Sequence, residues 1–174
     1  MTFSVQERAE RLASFRFVAV NLMETLARWV PTTPEMEAKV LFGRHIWEMA
    51  QQADALGRRT HELRAPLHFS LPPCEEYLGI LAELSAASGT GERIDGFYGG
   101  ILPGLEMRYQ RYIQATDALM DAPSVRILEN ALRDTARMQA ESREAKGQLG
   151  ALRLLDPSWP ARLAEAEARV EEIR

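Results

Sequence analysis

Proline and glycine interrupt this chain at only a few places, and the stretches between those places decide what it can fold into. The interruptions fall at Pro31/Pro34, Pro66/Pro72/Pro73, Gly89 to Gly104 with Pro103, Pro123, Gly147/Gly150 and Pro157/Pro160. Proline removes a backbone donor and clashes with the preceding turn, and glycine relieves strain past a helix end, so each cluster reads as a helix stop. Between them apolar residues recur every three or four positions, and nowhere does the two-residue alternation of a strand appear. The fold class is therefore read as all-α.

Four long segments follow. The first, about 5–30, carries Leu12, Phe15, Ala19, Leu22, Leu26 and Trp29 on one stripe. The second, about 33–64, opens on Thr32 and Glu35 at capping-box spacing with Pro34 in the first turn. Its apolar residues, among them Met36, Val40, Ile46, Trp47, Met49 and Leu56, cover well over half the circumference, which predicts packing on several sides. The third, about 97–120, shows Tyr98, Leu102, Leu105, Tyr109 and Tyr112. The fourth, about 123–147, follows Asp121 as a cap and shows Leu128, Ala131, Leu132, Thr135 and Met138. Short links join first to second and third to fourth, whereas Ala65 to Gly96 separates the middle pair and predicts a short surface helix over Glu75–Ser85. Gly89/Gly91 and Gly99/Gly100 read as turn glycines, since neither pair follows a strand or matches a phosphate loop. After the bundle domain, 1–149, residues 157–174 form an amphipathic helix with Trp159, Leu163, Ala166, Val170 and Ile173 on a heptad seam. That seam is too short to stand alone, so it docks on its own bundle or builds a homodimer.

Composition narrows the function classes. With 174 residues, 46% apolar and 26% charged, the chain has room for one core and excludes disordered and disulfide-stapled types. A net charge of -4, its acidic excess concentrated in residues 65–122, supplies no field for nucleic acid. The single cysteine, Cys74, excludes a disulfide framework and a cysteine-rich zinc site, and fits a cytoplasmic setting. Charges at Glu7, Arg8, Glu10 and Arg11 argue against an export signal, and Phe17 to Met23 is far too short to span a bilayer. Neither membrane nor nucleic acid is an expected partner.

Four helices with one long central crossover resemble the ferritin-like superfamily, the di-iron and di-manganese carboxylate four-helix bundles, over about residues 5–146. That resemblance implies a Glu from each of two helices and a Glu-x-x-His from each of the others, converging on two metals. This chain contains no Glu-x-x-His, and its only histidines are His45, His61 and His68. The nearest matches are Glu48-Met-Ala-Gln51 and the reversed pair His45-Ile-Trp-Glu48. The expectation is a ferritin-like bundle without an intact di-metal site and without a cofactor. It would bind a small molecule, act as a cofactor-free catalyst or serve as a dimeric partner protein. The alternative is an iron or manganese oxidase or oxygenase with a shell drawn from Glu24, His45, Glu48, Glu106 and Glu129. A structural assembly module built on the C-terminal seam is the other.

The candidate catalytic pair is Asp54 and His61, seven residues apart on the apolar arc of the second helix and therefore on one face. Buried there, an Asp would orient an imidazole as a general base. Glu24, His45, Glu48 and Tyr109 are the candidate ligand-binding residues.

Overall fold

The computed structural model describes residues 3–150, 152 and 154–173; Met1, Thr2 and Arg174, at the ends of the two expected units, lie outside them. Among the described residues the protein is all-helical, without a strand, and no helix is long and apolar enough to cross a membrane.

Helix α1 (Val5–Trp29) starts with a capping box: the Ser4 hydroxyl accepts from the Glu7 amide at 3.2 Å and the Glu7 carboxylate accepts from the Ser4 amide at 2.7 Å. Helix α2 (Met36–Glu62) does not form the box expected from Thr32 and Glu35. A 3-10 turn over Val30–Thr32 extends α1, and both Thr32 and Thr33 donate to the Trp29 carbonyl. Glu35 is itself the N-cap of α2, its carboxylate accepting from Thr90 at 2.5 Å. Helix α3 (Glu75–Ser85) is present as expected within the long connection, but it is no surface element: Tyr77, Ile80, Leu81 and Leu84 are buried.

The largest departure concerns the glycines. Helix α4 (Thr90–Ile94), a π-helical stretch (Asp95–Ile101) and α5 (Leu102–Ala115) follow one another without a break. Gly91, Gly96, Gly99, Gly100 and Gly104 lie inside this run, so they are helix-face glycines and not turn glycines. Helices α6 (Ala122–Gln148) and α7 (Trp159–Arg169) complete the chain.

Side-chain pairs fix the directions. Trp29 meets Phe42 and Arg16 meets Gly57, so α1 and α2 are antiparallel. Trp29 lies against Phe97 and Phe15 against Tyr109, with ring centroids 6.3 and 5.0 Å apart, so α1 also runs against the π stretch and α5. His45 reaches Glu141 while Arg59 reaches Ser124, which makes α2 and α6 antiparallel. Consequently α2 and α5 point the same way, and residues 63–89 carry the chain back along the molecule.

One buried carboxylate ties four of these helices at one end. Asp121, fully buried before α6, accepts from Arg59 at 3.0 Å, Tyr112 at 2.8 Å, Thr116 at 2.9 Å and Ser124 at 2.5 Å, with Arg8 of α1 at 4.0 Å. Burial works to raise its carboxyl, but the hydrogen bonds from Ser124, Tyr112, Arg59 and Thr116 outweigh it and hold the group below the usual range. Sequence spacing placed Asp121 as a backbone cap; its oxygens are spent on side chains instead.

Helix α7 docks in cis. Trp159, Leu163 and Glu167 repeat every four residues and face Gly96, Gly100 and Gly104, which repeat at the same interval. A Cβ on Gly96 would come within 2.7 Å of the Trp159 ring, one on Gly100 within 3.4 Å of Leu163, and one on Gly104 would overlap the Glu167 carboxylate. The absent side chains are what let the two backbones approach. Leu163, Val170 and Ile173 of the expected heptad seam are buried here, within one chain. Glu167 accepts from Arg108 and from the Tyr77 hydroxyl, and the Arg108 guanidinium lies 4.9 Å from the Tyr77 ring centroid. Burial raises the Glu167 carboxyl above its ordinary range while the Arg108 charge opposes that rise.

Candidate functional site

The chemistry concentrates where α2, the π stretch and α6 meet. His45, 1% exposed, projects from α2 between two partners. Its Nδ1 lies 2.6 Å from the Tyr98 hydroxyl and its Nε2 lies 3.1 Å from Glu141 Oε2. Glu141 also accepts from Arg44 at 2.8 Å, and Arg137 sits 3.9 Å from its other oxygen while pairing with Glu48 at 2.8 Å.

The protonation pattern follows from these neighbours. Burial tends to raise the Glu141 carboxyl, but hydrogen bonds from Arg44 and His45 prevail and keep it low, so it is a carboxylate that can only accept. His45 Nε2 must then carry the proton that it donates to Glu141. Burial lowers the His45 pKa despite the attraction of Glu141, so the ring is neutral near pH 7 and its Nδ1 accepts from the Tyr98 O–H. Burial and then the Glu141 charge push the Tyr98 hydroxyl well above its usual range, leaving it protonated. The result is a hydrogen-bonded row from Tyr98 through His45 to Glu141, the ordering in which a carboxylate orients an imidazole and the imidazole holds a hydroxyl proton.

Two grooves flank this row. A groove of about 320 Å³ between α2 and α6 is lined by Met36, Val40, Arg44 and Glu141. Another of about 220 Å³, between the π stretch and α6, is lined by Tyr98, Gln139, Arg143 and Lys146. Tyr98 and Glu141 thus face different grooves on either side of α6, joined by His45. The π stretch matters to this geometry because its wider turns shift the register of Tyr98 relative to a regular helix.

The residues singled out from sequence separate sharply. His45 and Glu48 belong to one network, linked through Arg137 and Glu141. Tyr109 is buried, but its hydroxyl has no hydrogen-bond partner among the described residues and its contacts are with Phe15, away from His45. Glu24 is exposed. Asp54 and His61 do share a face, but it is the solvent face: both are exposed, Asp54 pairs with Arg58 at 2.8 Å and His61 Nδ1 lies 3.2 Å from the Ala65 carbonyl. Their expected burial rested on Met36, Val40 and Trp47, which have the same helical phase and are themselves exposed.

The residues do not fit a di-metal centre either. Glu24 and Glu129 are exposed, Glu48 is spent on Arg137, and Glu106 hydrogen-bonds Gln139. No three His, Cys, Asp or Glu side chains converge among the described residues. Sequence reasoning missed Tyr98, Glu141, Arg44 and Arg137 as site residues. Tyr98 and Glu141 lie on or beside recognised apolar stripes, but only the register of α6 against α2 brings them to His45. In comparisons with family models, curated proteins and solved structures, none matches this chain.

Proposed function

We propose that this chain is a ferritin-like helical bundle in which the Tyr98–His45–Glu141 row takes the place of a di-metal site, and which binds a small polar molecule in the groove over Tyr98. The helix directions and the single long crossover between α2 and α4 support the bundle reading. The observation that carries the function is a buried neutral imidazole tied to a hydroxyl on one nitrogen and a carboxylate on the other. In this arrangement Tyr98 presents its hydroxyl to the bound molecule, His45 takes or returns the Tyr98 proton, and Glu141 stabilises the imidazolium that forms meanwhile. A cytoplasmic setting belongs to the same proposal.

Nitrogen-15 histidine NMR tests it. His45 is expected to hold its proton on Nε2 and stay neutral below pH 6.5, with Tyr98→Phe raising its pKa and Glu141→Gln lowering it. Titration as a free imidazole in all three proteins would sink the relay. Metal analysis of protein from iron- and manganese-supplemented cells complements this test. Two metal atoms per chain, lost in Glu141→Ala, would restore the metal-dependent oxidase reading.

A homodimer is the second reading, supported by the outward face of α2, where Met36, Val40 and Trp47 are 66%, 54% and 65% exposed around the open position of Gly43. Scattering mass measurements on wild type and Trp47→Glu check it: a dimer that the charge dissolves supports this reading, and a monomer in both removes it.

A further inference from the structure

At the far end of α5 from Tyr98, the chain after α7 closes a cavity of about 110 Å³ against α1 and α5. Its walls are aromatic and aliphatic: Phe3 and Tyr112 have centroids 5.4 Å apart, Phe15 and Tyr112 6.1 Å, and Ile173 covers them. An enclosed apolar protein cavity of about 150 Å³ accepts benzene. This one is smaller but open at its rim, where Arg111, Glu171 and Glu172 are exposed, so a single small ring seats with one edge toward solvent.

Its polar atoms point to a ligand. Ser14, 1% exposed, lines the cavity with a hydroxyl that has no hydrogen-bond partner among the described residues. Arg108 lines it too: its terminal nitrogens are committed to Glu167 and the Val170 carbonyl, while its buried Nε–H has no partner among the described residues. At the rim, Arg111 gives one nitrogen to the Glu171 carbonyl and has no carboxylate partner among the described residues. Arg11, also at the rim, pairs with Glu172 at 3.7 Å and lies 4.5 Å from the Phe3 centroid. Two carboxylates, Glu171 and Glu172, also stand at the exposed rim, Glu172 against Arg11, so the unspent groups that are buried are the Ser14 hydroxyl and the Arg108 Nε–H, both donors beside an apolar floor. Buried donors without acceptors are disfavoured, and a charged acceptor satisfies them best.

We propose that this cavity binds a small carboxylic acid with an apolar body the size of one ring. The body packs on Phe15, Tyr112 and Ile173, and the carboxylate faces Ser14, Arg108 and Arg111. This site is separate from the His45 row, on different elements and at the opposite end of α5.

Calorimetric titration with benzoate, and with benzamide as its uncharged counterpart, tests the assignment. Benzoate is expected to bind saturably, one per chain, and benzamide at least about tenfold more weakly, the scale of one charge-assisted hydrogen bond. Ser14→Leu fills the cavity and abolishes binding. Arg111→Gln, at an exposed position whose unchanged melting temperature confirms folding, weakens benzoate about tenfold. No saturable benzoate binding, equal affinity for benzamide, or undiminished binding in Arg111→Gln each overturns the proposal. The last two decide the matter even if Ser14→Leu does not fold.

Discussion

Along α7, Trp159, Leu163 and Glu167 repeat every four residues and are seated on Gly96, Gly100 and Gly104, whereas along α2, Met36, Val40 and Trp47 repeat at similar spacing and face outward. Both stretches satisfy the helical periodicity of a buried seam. They differ in what stands opposite. For α7 there is a groove of missing side chains and a buried guanidinium, Arg108, waiting for Glu167. Among the described residues nothing covers the outward face of α2, where Met36, Val40 and Trp47 stay exposed. A stripe in a sequence therefore records that a face is apolar, and only the remainder of the fold records whether it is covered.

The sharpest way to break this contrast is Arg108→Ala. It leaves Glu167 buried and uncompensated, and a broken buried pair costs about 3–5 kcal/mol in urea unfolding. A loss under about 1 kcal/mol would mean that α7 is held by its apolar contacts alone. Leu163→Ala comes next, since the side chain is fully buried against Gly100, and about 2–5 kcal/mol is expected from the same measurement.

Acidification probes the row on the buried side of α2. Because burial lowers the His45 pKa in the folded protein below its ordinary 6.5, the unfolded chain binds this proton first. His45 thus imposes no penalty above pH 6.5, and stability falls as pH drops below it toward the folded pKa. Melting temperatures between pH 7.5 and 5.5 should fall more steeply for wild type than for His45→Gln, and parallel slopes would contradict a buried neutral ring. Smallest of all, Trp47→Ala should change stability by no more than about 0.5 kcal/mol at low concentration. A larger, concentration-dependent loss would show that a second copy covers this face.

Much of the backbone was legible. The helix class, the antiparallel pairing imposed by short links, the long crossover and the helix over Glu75–Ser85 follow from breaker positions and apolar spacing. The glycine run was misleading because Gly96, Gly100 and Gly104 are spaced for a helix face, and glycine as punctuation looks the same in sequence as glycine as clearance for a neighbour. Within the site, His45 and Glu48 were visible as the reversed pair His45-Ile-Trp-Glu48, the nearest approach to the metal-ligand pattern on the second helix. Tyr98 and Glu141 were not, because a hydrogen bond across 53 or 96 residues depends on the packing register of separate helices.

Asp54 and His61 show where the boundary lies. Their common phase on α2 was determined by the sequence alone, since one hundred degrees per residue is a property of the backbone. Whether that phase faced solvent or core was decided when α1 and α6 packed on the other sides of α2. Local hydrogen bonding fixes a helix and its periodicity, but burial belongs to pairs of helices, and the sequence does not say which faces will meet.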